Sequence, residues 1–383
     1  MCAQKWQLML DAKRHQLRRA ALLRDGEVLQ FFVQSADSLF EIGDLFYAQV
    51  TEERLSAAGW FLDLGNGSSG FLPQAQAKSP ETVTKGSLHL VQVTRLPGNG
   101  KCVQVTEHLQ IVGRAMVYLP SMHRLAVSHA LNGSVQTDLR RLAAAWCADN
   151  EGIIIRTQAG TMNEQQLHKE WLLLRAKWQE LFQRMQTMQR PGLLNRSLSF
   201  ASTILNDHHW PESCTIHCGY PLEAADWLAG YEVIREESGA VFEQYGLESS
   251  YQQATNRRIL LKSGASLVID NGETLTAIDV NSGAQHLQGD WDKHAIQTNC
   301  EAAGEIAKQI RQRGIGGMIV IDFLRLKDTA DQLEVTQCLA RELASRLLTV
   351  DCFGFTAMGL FELSRKRQHY SLHDYQRSMI NEH

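Results

Sequence analysis

The sequence predicts a multidomain chain that mixes α/β and α+β architecture, with a small antiparallel β-barrel among its parts. Three observations carry that expectation. At 383 residues the chain is long enough for two to four compact units. Short alternating apolar runs crowd between Ile42 and Glu107, separated by Gly, Asn, Ser and Pro clusters. Further along, "TAIDVNSG" (276–283) and "IVIDFLRLKD" (319–328) are apolar runs that each end on an aspartate, with helical periodicity between them. Composition sets the outer bounds. With 44% hydrophobic and 21% charged residues it reads as an ordinary soluble protein. No apolar run approaches the roughly 18 residues a bilayer requires. The opening "MCAQKWQLMLDAKRHQ" lacks a signal-peptide core, so a cytoplasmic location is expected. The formal net charge of −4 gives no global argument for a nucleic-acid partner, and any such argument must be local.

In chain order, the run "AKRHQLRR" at 12–19 could supply such a local basic patch, although a solvated helix face is the simpler reading. The runs "GDLFYAQV", "GWFLDLG", "GFLP", "SLHLVQVTRL" and "KCVQVTEHL" follow at barrel-like spacing and suit a five-stranded OB-type barrel. Such barrels bind single-stranded nucleic acid by stacking bases on exposed aromatics beside a cationic groove. Phe61 and Phe71 are the candidate platform and Lys101 the candidate phosphate contact. Periodicity alone leaves both phenylalanines equally open to a core role. "GIIIRT" at 152–157 reads as a buried strand delivering Arg156 and Thr157. A long helix then opens at Thr161 with the box "TMNE". Leu167, Trp171, Leu174, Trp178, Leu181 and Met185 hold one helical face, and Pro191–Gly192 stops it.

"DWLAGYEVIREESGAVFEQYG" reads as helical. Before it, Cys214, His217 and Cys218 in "CTIHC" could contribute to a metal site, yet no second ligand pair stands at zinc spacing. Ordinary buried thiols are the simpler reading, and the eight scattered cysteines suggest reduced thiols rather than a disulfide framework. Asn271–Gly272 between two β-rich runs is a strong hairpin signal, and its second arm carries Asp279. A helix with Ala303, Ile306, Ala307 and Ile310 on its apolar face follows, stopped by Gly314. "GGMIVIDF" then reads as a strand buried on both faces. Strand–helix–strand makes the two strands parallel neighbours, so Asp279 and Asp322 emerge at one sheet edge.

Two adjacent carboxylates repel and need a shared proton or a cation. Oxygen ligands beside an amide suit a hard ion, Mg²⁺ or Mn²⁺, which can polarise a phosphodiester and activate a water. Asn281 can orient a carboxylate or bond a phosphate oxygen. The alternative is that each aspartate merely caps a turn or the next helix.

The stretches "TLTAIDVNSG", "QTNCEAAGEIAKQIRQRGIGGMIVIDF" and "FELSRKR" strongly resemble the catalytic core of the bacterial ribonuclease E/G family, and the likeness runs through "FLDLGNGSSGFLP", "GRAMVYLP" and "GIIIRTQAG" in the family's domain order. The resemblance implies an endoribonuclease that cuts single-stranded, often A/U-rich RNA to 5′-phosphate and 3′-hydroxyl ends, in RNA processing or decay. It implies an RNase H-like fold from 1–41 and 193–254, an S1-type OB barrel at 42–107, a 5′-sensor region at 108–192 and a DNase I-like catalytic region at 255–383. By position, Asp279 and Asp322 match the family's Mg²⁺-binding aspartates and Asn281 its catalytic asparagine. Phe61, Phe71 and Lys101 match RNA contacts of the barrel. Gly113, Val117, Arg156 and Thr157 match the pocket for a 5′-monophosphate, a group that an arginine and a hydroxyl are suited to hold. Two departures shape the expectation. The family's Cys-x-x-Cys zinc link after "FELSRKR" is missing, with no cysteine beyond Cys352, so structural zinc is not expected and the assembly is expected to be a monomer or a dimer without that link. The sensor's second arginine aligns with Thr349, with Arg346 nearby but off register. Rivals to the enzyme reading are a weak or inactive RNA-binding member of the same fold, and a phosphodiesterase acting on DNA.

Overall fold

The computed structural model describes residues 5–12, 17–35, 39–51, 58–65, 67–96, 102–148, 150–196, 200–207, 214–222, 231–272, 274–283, 291–344, 350–366 and 371–373. Its contacts separate into two units, one built from residues 1–37 and 210–383, the other from 38–209 inserted between them. The chain begins with the meander β1 (Trp6–Asp11), β2 (Leu17–Arg24) and β3 (Glu27–Ser35). The stretch read as a solvated helix face therefore runs into a strand, and Arg19 is buried. Its guanidinium bonds Asp11 at 2.6 Å and Glu248 at 2.7 Å and lies 4.6 Å over the Phe242 ring. Both carboxylate partners are distant in sequence or out of helical register, so local charge gave no sign of them.

The inserted unit opens with the barrel: β4 (Leu45–Val50), β5 (Gly59–Asp63), β6 (Ser69–Pro73), β7 (Leu88–Arg95) and β8 (Val103–Thr106). Strand order β4-β5-β6-β8-β7 closes through a β4–β7 pairing, consistent with an OB-type domain. Phe46, Ala48, Val50, Trp60, Leu62, Leu72, Val91, Val93, Val103 and Val105 fill it, and closure leaves these five strands no open edge. Next come β9 (Ile111–Val112), β10 (Met116–Leu119), β11 (Leu125–Val127), α1 (Gly133–Trp146), β12 (Gly152–Ile155) and α2 (Glu164–Thr187). The sheet order is β11-β12-β10-β9, and Leu167, Trp171, Leu174 and Leu181 of α2 join its core. The helix starts two residues after the expected box. Asn163 and Gln166 form the reciprocal cap, while Thr161 closes a 3₁₀ turn by donating to Gln158 O. The insertion ends with β13 (Gly192–Asn195), paired to β4, and α3 (Phe200–Asp207).

Back in the first unit, β14 (Cys214–Cys218) pairs parallel with β1, and β15 (Glu232–Arg235) pairs parallel with β14. The stretch expected as one helix over 226–246 thus contains a strand, followed by the short helices α4 (Val241–Gln244) and α5 (Glu248–Gln253). Parallel pairing with a strand already in the sheet overrides the local helical pattern. Strand alternation also decides the "CTIHC" question. Cys214 and Cys218 point to the face opposite His217, and burial raises the Cys214 thiol to about 12. His217 instead bonds Glu236 at 3.0 Å and Tyr245 at 2.8 Å.

The last sheet is β16 (Arg258–Leu260), β17 (Ser266–Asn271), β18 (Leu275–Asn281), β19 (Gly317–Asp322), β20 (Val350–Phe355) and β21 (Phe361–Arg365) in the order β16-β17-β18-β19-β21-β20. Helices α6 (Trp291–Gln312) and α7 (Thr329–Leu343) cover one face. Gly314, at φ +66°, terminates the α6 segment in the left-handed region. Contrary to the expected reduced thiols, Cys300 of α6 and Cys338 of α7 pair as a disulfide. Their Cα atoms lie 5.6 Å apart, the usual separation across a disulfide. Among the described residues, no helix is long and apolar enough to cross a membrane.

Candidate active site

Strand β18 alternates strictly. Thr276, Ile278 and Val280 are buried toward α6 and α7, whereas Ala277, Asp279 and Asn281 are exposed on the other face. Strand β19 lies parallel to it, and the register pairs Asp279 with Asp322. Residues in register on adjacent strands point to the same side, so both carboxylates stand next to each other on the open face. Asn281 Nδ2 donates to Asp279 Oδ2 at 2.7 Å. The second oxygen of Asp279 and both oxygens of Asp322 have no bonding partner among the described residues.

The chemistry of this donor set fits a Mg²⁺-type ion. That ion commonly keeps several waters and is held by one or two carboxylates plus substrate phosphates. Among the described residues, no third Asp, Glu, His or Cys joins the pair. Asp279 and Asp322 would hold the ion, and Asn281 would fix the carboxylate plane of the first.

Three residues that support this face gave no separate signal in the sequence. Asn299 on α6 is fully buried and spends its whole amide on the chain just after Asp322. Its Nδ2 donates to Leu324 O at 2.8 Å and its Oδ1 accepts the Leu324 amide at 2.9 Å. Arg365, the arginine of "FELSRKR", is buried and donates to Ile310 O and Ile315 O at 3.1 and 2.9 Å, capping the end of α6. Burial pulls its guanidinium down to about 10. Arg258 on β16 shares the cross-strand row of Asp279 and Asp322 through Val268, and it donates to Ser266 Oγ at 3.2 Å.

A sequence model of the Ribonuclease E/G family matches residues 110–368, well over half of the chain and spanning both aspartates. The chain belongs to the ribonuclease E/G family. As a member it is an enzyme of the endoribonuclease class, and membership supports a role in RNA processing. Ribonuclease G of Escherichia coli (strain K12) is 26% identical over 383 aligned residues, covering 92% of this chain and 78% of that protein. Ribonuclease G of Haemophilus influenzae is 25% identical with the same coverage. Ribonuclease E of Nostoc sp. is 26% identical over 96% of this chain but only 56% of its own length.

The other expected positions lie in the inserted unit. Phe61 and Phe71 are register partners across β5 and β6. Their rings stand 5.4 Å apart at 53°, half-buried on the barrel's outer side while Trp60, Leu62 and Leu72 fill the inside. Lys101 lies outside the described residues, as does Thr349. Around the end of β12, Arg156 donates to Gly113 O at 3.1 Å, and the Thr157 and Ser128 hydroxyls are bonded at 2.7 Å. Val117 sits on β10 between Val112 and Ile154. This ribonuclease-family chain thus brings Gly113 and Arg156 into direct contact, with Val117 and Thr157 on the flanking strands and turn.

Proposed function

We propose that this member of the ribonuclease E/G family is a Mg²⁺-dependent endoribonuclease. In this reading it cuts single-stranded, A/U-rich RNA to 5′-phosphate and 3′-hydroxyl ends. The observation that carries the proposal is the register pairing of Asp279 with Asp322 on one open sheet face, with Asn281 bonded to the first. Bound between those carboxylates, a divalent cation supplies Lewis-acid polarisation of the scissile phosphate. Asp279 and Asp322 hold that charge. Asn281 keeps one Asp279 oxygen turned and offers its own carbonyl oxygen to a water or ribose hydroxyl. Asn299 fixes the chain that follows Asp322, so the second carboxylate arrives in one place. Mn²⁺ satisfies the same oxygen set.

The finer division of the chain belongs to this reading too. The order β15-β14-β1-β2-β3 supports an RNase H-like fold for 1–41 and 193–254. The barrel of 42–107 acts as an S1-type module that grips RNA through Phe61, Phe71 and Lys101. Residues 108–192 carry a 5′-monophosphate sensor built on Gly113, Val117, Arg156 and Thr157, and 255–383 form a DNase I-like catalytic region. The protein works in the cytoplasm on single-stranded RNA.

The decisive experiment is cleavage of a short single-stranded RNA and its DNA counterpart, with Mg²⁺, with EDTA, and with Mg²⁺ restored. RNA cutting that EDTA stops and Mg²⁺ restores is the expected result. Asp279→Asn is expected to abolish turnover while RNA binding persists. Equal turnover by Asp279→Asn and wild type removes the metal assignment, and cutting of DNA at the same rate removes the RNA assignment.

A further inference from the structure

The turn that carries Gly113 is held from below by an acid that no family position assigned above accounts for. Glu170 lies on α2 next to Trp171, whose ring is buried in the core of this sheet, so its backbone is firmly anchored. Its Oε1 accepts the Ala115 amide at 2.9 Å, and the neighbouring Arg114 and Met116 amides favour the charged carboxylate. Successive backbone N–H groups of a turn that favour one anion have the character of a backbone nest. The carboxylate comes so close that a Cβ added at Gly113 would overlap Oε1. A side chain at 113 would therefore have to push the Glu170 carboxylate away from the turn.

The other side of the same turn faces the arginine. Gly113 N donates to Met116 O at 2.9 Å, which closes the turn. Gly113 O then accepts from Arg156 Nη1 at 3.1 Å, and Ala115 O accepts the Arg156 backbone amide at 2.8 Å. One carboxylate therefore fixes the backbone whose two carbonyls fix Arg156. We propose that Glu170 is the positioning residue of the 5′-phosphate pocket, setting the Gly113 turn and through it the plane of the Arg156 guanidinium. This rests on the sensor reading given above and deepens it. The family's second arginine aligns with Thr349 in this chain, and Glu170 supplies orientation of Arg156 from within the sensor itself.

The chemistry requires a carboxylate. Two oxygens with about four lone-pair sites can accept three amides, whereas a glutamine offers one oxygen and turns an NH₂ toward N–H donors. Burial pushes the Glu170 carboxyl up, partly opposed by those three amides, so the acid sits in a low-dielectric niche where a mispaired group is expensive. An arginine held in one plane also has less rotamer freedom to lose when it pairs with a terminal phosphate.

The test compares cleavage of one RNA carrying a 5′-monophosphate or a 5′-hydroxyl, by wild type, Glu170→Gln and Glu170→Asp. In Glu170→Gln the monophosphate rate is expected to fall about tenfold further than the hydroxyl rate, because an ångström of misplacement costs a positioned group up to about a hundredfold. Glu170→Asp, still a carboxylate, is expected to recover part of the preference, and it carries the test if the glutamine variant does not fold. Amide exchange at Arg114, Ala115 and Met116 should quicken in Glu170→Gln. Equal losses on both RNAs mark a merely structural staple and overturn the proposal. A wild type that prefers the monophosphate beside variants that keep that preference overturns the role of Glu170 alone. A wild type without preference overturns the sensor reading as well.

Discussion

Asn299 is the residue on which the candidate active site depends without any reacting group of its own. It is fully buried, and both ends of its amide are bonded to the backbone of Leu324, two positions past Asp322. Replacing it by Leu would keep the approximate volume and strand one N–H and one C=O in the interior. Each such group costs about 1–3 kcal/mol, so Asn299→Leu is expected to lower stability by a few kcal/mol in urea melts. Activity should fall by more than the unfolded fraction explains, since a neighbour that orients a metal ligand is worth about 10- to 100-fold. Full specific activity in the folded fraction would show that the Leu324 bonds serve packing only. Asp279 and Asp322 were legible from sequence because a hairpin and a strand–helix–strand leave one simple topology, and the register pairs them. Asn299 was not, because its partners are backbone atoms of a loop that no periodicity describes. Arg19 failed in the same way: its run looked like a charged surface, while its partners Asp11 and Glu248 are visible only once the strands and helices assemble.

Elements whose pattern is closed locally were the ones sequence could assign. The five barrel strands carry their own turn signals, and each expected run is a strand in the structure. The helix expected over 226–246 instead contains β15, because pairing with β14 is decided by a sheet partner and not by the segment itself. Helix α2 shows a finer version. Two overlapping boxes, Thr161 with Glu164 and Asn163 with Gln166, both satisfy the pattern, and the 3₁₀ turn that consumes Thr161 selects the second. The barrel also carries a titratable brace. His89 on β7 bonds Ser87 and Glu107, each at 2.7 Å, and Glu107 also accepts the Lys78 amide at 2.7 Å. Burial alone would raise the Glu107 carboxyl, yet the His89 ring and the Lys78 amide hold it below its ordinary 4.5. A folded-state value below the unfolded one means the group stabilises the fold above pH 4.5 and loses that contribution as pH falls toward the lower folded value. The melting temperature of wild type should therefore exceed that of Glu107→Gln at about pH 6, and the gap should narrow as pH falls below 4.5. A gap that stays constant across that range would remove the brace from the pH response.

At the scale of the whole molecule, the chain is a continuous unit nested inside a discontinuous one. Residues 38–209 hold two cores of their own, the barrel interior and the α2-centred cluster. The surrounding unit is stitched from both ends of the chain, since β14 pairs with β1 across the whole insertion. Independent folding requires a core closed within one segment, and the inserted stretch meets that condition, whereas the β15-β14-β1-β2-β3 sheet draws on both ends of the chain. A fragment of residues 38–209 is expected to melt cooperatively on its own, whereas residues 210–383 alone lack β1–β3 and should not form the β15-β14-β1-β2-β3 sheet. The fragment contains the Phe61 and Phe71 pair but neither aspartate, so on the proposed division of labour it binds single-stranded RNA and cleaves none. Stacking is worth about 1–3 kcal/mol per base, and Phe61→Ala in the fragment should weaken binding correspondingly while leaving its melt nearly unchanged, because the ring is half-buried outside the barrel core. Binding measured by anisotropy on a short A/U-rich RNA and melting followed by circular dichroism would check both halves. A fragment that folds but ignores RNA moves recognition to the aspartate-bearing unit, and one that fails to fold ties the barrel's stability to the rest of the chain.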